Sequence, residues 1–130
     1  MINNEQKEII IKKTIEKYFE AWLKKDGTKL EQFFAEDAIY TECYGPQYHG
    51  LKQIVRWFDD WNKTGTVLEW SIKRTIEERQ TVVVEWYFKC DCNNKVSGFD
   101  GVTIADFDEN KKIVRLSEFR SDCDHIYPYD

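Results

Sequence analysis

Apolar residues recur at steps of three and four in the first part of the chain, the period of a helix that buries one face. From Glu5 to Lys25 this pattern predicts a first helix about 30 Å long, enough to cross a small sheet. Its stripe is formed by Ile11, Ile15, Tyr18 and Trp22.

Signals for the end of this helix and for two further helices follow directly. Gly27 is placed to end the first helix, and Thr28 with Glu31 has the spacing of a capping box that starts a second. The stretch Leu51 to Trp61 repeats the helical period and predicts a third helix.

The second half of the chain changes to a period of two, which is typical of strands. One short strand is predicted earlier, at Ala38 to Glu42, before a turn-rich loop at residues 45–50. The later strands are predicted at Val67 to Arg74, Thr81 to Cys92, Gly98 to Phe107 and Ile113 to Arg120.

Helices early and a strand meander late predict an α+β fold, with three helices on one face of an antiparallel sheet. The strand Thr81 to Cys92 is apolar on both faces, so we expect its outer face to form a homodimer. The tail, Ser121 to Asp130, has no clear element, but Tyr127 and Tyr129 are expected to anchor it.

Composition narrows the class of protein. A chain of 130 residues with 42% apolar and 33% charged residues predicts one globular domain, residues 1–130. No apolar run is long enough to span a bilayer and no leader is visible, so the predicted location is the cytoplasm. The net charge is −5 and no dense basic cluster occurs, which argues against a nucleic acid partner, and the short apolar runs argue against a membrane.

The four cysteines are interpreted as free thiols, because a domain of this size needs no disulfides. Cys90 and Cys92 share a strand face, and a metal or redox role for this lone pair stays the minor alternative. With only two histidines and no phosphate loop, neither a metal nor a nucleotide cofactor is implied.

Several stretches together resemble the nuclear transport factor 2-like superfamily, in its SnoaL-like branch. They are Tyr18 to Asp26, Phe33 to Ala38, Gly50, Val84 to Phe88, Phe99-Asp100-Gly101 and Ile113 to Phe119. The resemblance covers nearly the whole chain and implies an α+β roll with a curved sheet and a cone-shaped pocket. Members include ketosteroid isomerases, polyketide cyclases, epoxide hydrolases and non-catalytic binding domains, so a shared fold names no reaction.

The comparison with steroid isomerase-like members picks out two candidate catalytic residues. It places Tyr18 where those enzymes keep an oxyanion-binding tyrosine, and Glu42 where they keep a proton-shuttling aspartate. Their third acid would fall near Thr103, or at Asp100 if the register slips, and a threonine hydroxyl cannot replace a buried carboxylic acid. A core tyrosine and a solvated glutamate are the structural alternatives for the two candidates.

A third candidate acid comes from strand parity. Glu118 ends an apolar strand face, where a carboxylate is either paired or has a perturbed pKa. Arg120 is expected to be its counter-ion or to bind a ligand oxyanion. Asp100 is expected to contact the ligand or to have a structural role in its strand.

Aromatic residues reach 15% of the chain and are expected to fill the core or to line the pocket. The predicted ligand contacts among them are Trp22, Tyr40, Trp57, Trp61, Trp70 and Trp86. Two functions stay open. In the first, the pocket binds a small, partly apolar molecule without converting it. In the second, the protein is a cofactor-free isomerase, lyase or hydrolase with Glu42 as general base.

Overall fold

A long amphipathic helix opens the fold in the computed structural model, which describes residues 2–129. Helix α1 (Asn4–Lys24) begins at a capping box, where the side chains and backbone N–H groups of Asn3 and Gln6 pair reciprocally. It ends at Lys25, whose left-handed backbone has a φ of 54°. The predicted stripe is buried: Ile11, Ile15, Tyr18 and Trp22.

The turn after α1 differs from the prediction, because neither Gly27 nor Thr28 caps a helix. The carboxylate of Asp26 accepts hydrogen bonds from the N–H and the hydroxyl of Thr28, at 3.0 and 2.6 Å, before the short helix α2 (Leu30–Phe33) begins. Gly27 serves close packing instead, since a Cβ there would lie 3.0 Å from the ring of Phe58.

The remaining elements are β1 (Phe34–Thr41), β2 (Gln47–His49), α3 (Leu51–Thr64), β3 (Gly65–Glu78), β4 (Thr81–Cys92), β5 (Lys95–Phe107) and β6 (Ile113–Arg120). Most of them have the predicted type and keep or extend the predicted bounds, but β2 was not predicted, and β1 begins before Ala38 and ends at Thr41, so that Glu42 lies just outside it. The bounds of β4 and β6 are those predicted. The loop at residues 45–50 contains β2, which the sequence did not show because its three residues give no periodicity.

All six strands form one sheet in the order β2-β1-β6-β5-β4-β3. Neighbours are antiparallel except β1 and β6, which run parallel, because the chain leaves β1 through α3 and returns along the meander from the far edge. Two register shifts in β3, one after Val67 and one after Ile72, bend that strand.

The helices pack on one face of the sheet, α1 against β3 and α3 against β1 and β2. Strand β4 shows the two faces clearly: Val82, Val84 and Trp86 are fully buried, and the residues between them are partly exposed. The fold is therefore the predicted α+β arrangement, with the core between the helices and the inner face of the sheet.

The C-terminal tail is not anchored as predicted. Tyr127 and Tyr129 are 75% and 97% exposed, so neither ring contributes to the core. Within residues 2–129, no helix is both long enough and apolar enough to cross a membrane.

Candidate functional site

A small cavity of about 40 Å³ lies between the helices and the inner face of the sheet. Nine of the side chains around it are aromatic, and they include all five tryptophans. The cavity is lined by Trp22, Tyr40, Glu42, Cys43, Tyr44, Trp57, Trp61, Val67, Trp70, Trp86, Phe88, Phe99 and Glu118. Since one water molecule needs about 10–15 Å³, the space suits roughly three water-sized groups.

The aromatic lining follows from the same periodicities that predict the elements. Trp22 comes from the buried stripe of α1, Trp57 and Trp61 from α3, and Trp70 and Trp86 from the inner faces of β3 and β4. All six aromatic residues predicted as ligand contacts therefore lie around one cavity.

A chain of hydrogen bonds ends on the carboxylate of Glu118. The Tyr18 hydroxyl donates to the Tyr40 hydroxyl at 2.7 Å, and the Tyr40 hydroxyl donates to Oε2 of Glu118. The pKa of Glu118 is raised to about 8: removal from water is the largest cause, the hydrogen bond from Tyr40 opposes it, and the nearby Glu42 adds a smaller rise. A carboxyl group that titrates near neutrality can donate or accept a proton in the cavity.

The other acid in the cavity, Glu42, has its own partner. The hydroxyl of Tyr48 donates to Oε2 of Glu42 at 2.7 Å. Burial raises the pKa of Glu42, and the hydrogen bond from Tyr48 opposes that shift. Glu42 and Glu118 thus enter the same cavity from the end of β1 and from β6, the parallel pair of the sheet.

Tyr18 does not line the cavity but contacts Tyr40, which does. It is fully buried, and burial raises its pKa well above the usual value. Its hydroxyl is occupied by Tyr40, which itself lines the cavity, so an effect of Tyr18 on a ligand passes through Tyr40.

Asp100 lies on the opposite face of the sheet from the cavity. It alternates with Phe99, whose ring lines the cavity, and with the buried Gly101, and it pairs with Lys73 and with Nε2 of His125 at 3.1 Å. The paired lysine lowers the pKa of Asp100.

Arg120 lies at the rim of the cavity. Its guanidinium carbon is 4.9 Å from the ring centre of Tyr44 and 5.4 Å from that of Phe99, and both rings line the cavity. Within residues 2–129 its ion pair is with Asp122, at 3.5 Å, rather than with Glu118.

Tyr48 and Phe99 were not predicted as site residues from the sequence, and Thr103 was named only through the family resemblance. Tyr48 lies in the turn-rich loop, and no pattern in the sequence indicates its contact with Glu42. Phe99 could have been found from strand parity, because it pairs with the inward-facing Phe88. Thr103, pointed to by the resemblance, is fully buried opposite Glu118 and accepts a 2.8 Å hydrogen bond from Trp86 Nε1.

The cysteines offer no activated nucleophile at the cavity. Burial raises the pKa of Cys43 to about 12, and nearby Glu118 adds to that shift, so its thiol stays protonated at neutral pH. All four cysteines are free, and residues 2–129 contain no group of three or more His, Cys, Asp and Glu side chains that could hold a metal ion.

Helices on one face of a six-stranded sheet, with an aromatic cavity between the layers, define a ketosteroid isomerase-like α+β fold. The family model described as the SnoaL-like domain matches residues 15–116, and the chain belongs to that family. No curated protein matches the chain.

Solved structures with this fold are similar along most of their length. An LEH-like epoxide hydrolase of M. tuberculosis has a TM-score of 0.78 at 12% identity, covering 87% of this chain and 84% of its own. A Shewanella denitrificans OS-217 protein assigned to the SnoaL-like polyketide cyclases has a TM-score of 0.74 at 17% identity, covering 86% and 90%. A ketosteroid isomerase-like protein of Catenulispora acidiphila in complex with trimethylamine has a TM-score of 0.70 at 17% identity, covering 82% and 83%.

Proposed function

We propose that this SnoaL-like protein binds a small, partly apolar molecule in the aromatic cavity. The observation that carries the proposal is the lining itself, which combines nine aromatic side chains with two acidic ones, Glu42 and Glu118. Ligand sites typically combine apolar walls with few polar groups. The cavity of about 40 Å³ limits the enclosed part of the ligand to a few heavy atoms. The Catenulispora protein carries a ligand of comparable size, trimethylamine.

The test is ligand-induced thermal stabilisation across a panel of small apolar carbonyls, acids, alcohols and amines. Cys43→Phe places a ring in the cavity and should abolish every shift in melting temperature, whereas Cys123→Phe, in the exposed tail, should keep them. If no compound stabilises the wild-type protein, or if Cys43→Phe binds as well as wild type, the cavity is not the binding site.

A second candidate function is cofactor-free acid–base catalysis as an isomerase, lyase or hydrolase. It is favoured by two carboxyl groups with raised pKa values on one cavity, which suits one group to accept a proton while the other donates. In this proposal Glu42 is the general base. Glu118 is the protonated donor, and Tyr18 supports it through Tyr40.

Substrate conversion separates this candidate from simple binding. Compounds that bind are incubated with the protein and followed by NMR, and Glu42→Gln and Glu118→Gln should each bind but not convert them. Glu16→Gln, on the exposed side of α1, is the matched control. Binding without conversion by the wild-type protein, or unchanged turnover in Glu42→Gln, would leave the binding function alone.

We further propose a homodimer through the outer face of the sheet. Phe119, Ile76 and Ile104 are exposed on this face, beside the partly exposed Val83. Phe119→Lys should change the sedimentation coefficient from that of a dimer to that of a monomer. The melting temperature of the monomeric form should not fall. A wild-type monomer at all concentrations would contradict the proposal.

The cytoplasmic location stays a prediction.

A further inference from the structure

The two carboxylates of the cavity have no positively charged partner. Among residues 2–129, neither Glu42 nor Glu118 forms an ion pair, and the neighbouring groups that shift their pKa values include no Lys or Arg. Tyr40 donates a hydrogen bond to Oε2 of Glu118, and none of residues 2–129 donates one to Oε1. Both side chains are half-buried, and Glu118 holds a proton near neutral pH in the absence of a cation. A positively charged ligand stabilises the ionised form of such a carboxyl group, so the site favours a ligand that supplies positive charge.

The walls around these acids are aromatic on several sides. Trp22 and Trp61 meet at 85° with ring centres 5.3 Å apart, and Trp70 and Trp86 meet at 86° with centres 5.7 Å apart. Rings set at right angles make the cavity aromatic in more than one direction. Ring faces are electron-rich and attract cations, most strongly those with little hydration, such as methylated ammonium groups.

The chain already places a cation on two of the lining rings. The guanidinium of Arg120 stacks over Tyr44 and Phe99 at the rim, so these rings tolerate a positive charge beside them. Asp122 balances the charge of Arg120 from outside, at 3.5 Å. The inner part of the cavity, where both glutamates lie, has no such basic partner among the described residues.

We propose that the cavity selects a small organic cation, a methylated ammonium group, held by the tryptophan rings and neutralised by Glu118 and Glu42. This inference rests on the proposed binding function and names its ligand class. A group of that kind presents a few methyl groups around one nitrogen, which suits a cavity of about 40 Å³.

Isothermal titration of the full chain with a matched pair of probes tests the charge alone. Choline and 3,3-dimethyl-1-butanol have nearly the same shape, and they differ in a quaternary nitrogen that replaces a carbon. We expect choline to bind at least tenfold more tightly than the neutral alcohol, at constant ionic strength. Tetramethylammonium should also bind, since the hydroxyl is not the recognised group.

Variants then assign the preference to the acids. Glu118→Gln should reduce the choline preference at least fivefold while leaving the affinity for the neutral alcohol within twofold. Glu42→Gln serves the same purpose if the first variant folds poorly. Glu16→Gln, exposed on α1, should keep the wild-type preference.

The outcomes separate the two proposals. Equal or tighter binding of 3,3-dimethyl-1-butanol refutes the cation inference and leaves an apolar binding site. Binding of panel carbonyls or acids with no binding of choline or tetramethylammonium does the same. If no probe and no panel compound binds, the binding function itself fails. A choline preference that survives in both glutamine variants also overturns the inference, because the acids would then not be responsible.

Discussion

Replacing Glu118 with glutamine should change how the stability of this protein depends on pH. Glu118 points to the inner face of the sheet, where removal from water raises its pKa from 4.5 to about 8. The folded protein therefore holds a proton on Glu118 at pH values where the unfolded chain has released it. Glutamine keeps the shape and still accepts the hydrogen bond from Tyr40, but it cannot titrate.

The sign and size of the effect follow from proton linkage. Because the native state binds more protons than the unfolded state between about pH 4.5 and 8, the free energy of unfolding of the wild type falls as pH rises through that window. Each unit of pKa shift corresponds to about 1.4 kcal/mol, so the full shift is on the order of 5 kcal/mol. Between about pH 6 and 8 the loss due to Glu118 is about 2 kcal/mol.

Urea denaturation of wild type and Glu118→Gln at half-unit pH steps from about 5.5 to 9 measures this quantity. The difference between the two free energies removes titrations that the proteins share, and it should grow in favour of the variant as pH rises. The refuting result is a difference that stays flat across the range. It would show that Glu118 is ionised in the native protein with an ordinary pKa.

Two other predictions follow from contacts around this site. Tyr40→Phe removes the hydrogen bond that opposes the raised pKa of Glu118, so that pKa should rise further by NMR titration and the protein should lose about 1–2 kcal/mol. Tyr129→Phe, in the exposed tail, is the control and should change neither quantity. Gly101→Ala should destabilise the fold by about 1–3 kcal/mol in the urea assay, because the new Cβ would overlap both the Trp86 ring and the backbone carbonyl oxygen of Phe119. A change below about 0.5 kcal/mol would mean that the ring and the neighbouring strand move aside freely.

The elements were predictable where one period persists over many residues. The bounds of β4 and β6 and the buried stripe of α1 follow directly from alternation and from the helical period. The helix ends were not predictable, because local polar groups compete for the same hydrogen-bond partners. The hydroxyl of Thr28, which was expected to cap a helix, donates to Asp26 instead.

The candidate site was predictable as a set of inward-facing residues but not as a set of partners. Parity places Glu42 and Glu118 on inner faces, and it gives no information on which hydroxyl reaches which carboxylate. Tyr48 reaches Glu42 from a three-residue strand with no period of its own. The expected partner of Glu118, Arg120, follows it by two residues, yet it contacts Tyr44 and Phe99 at the rim.

The parallel pairing of β1 with β6 is the single step that makes the site. It sets Tyr40 beside Leu116, two residues from Glu118, and so lets a hydroxyl and a carboxylate 78 residues apart meet at the cavity. No local pattern specifies this pairing, since it depends on the whole meander returning to β1.

The charge state of Glu118 then decides between acid–base catalysis and cation binding. A proton held at neutral pH makes it a donor for catalysis, and its release on binding makes it a counter-ion for an organic cation. A direct comparison of choline affinity in wild type and Glu118→Gln therefore tests the chemistry that this strand pairing creates.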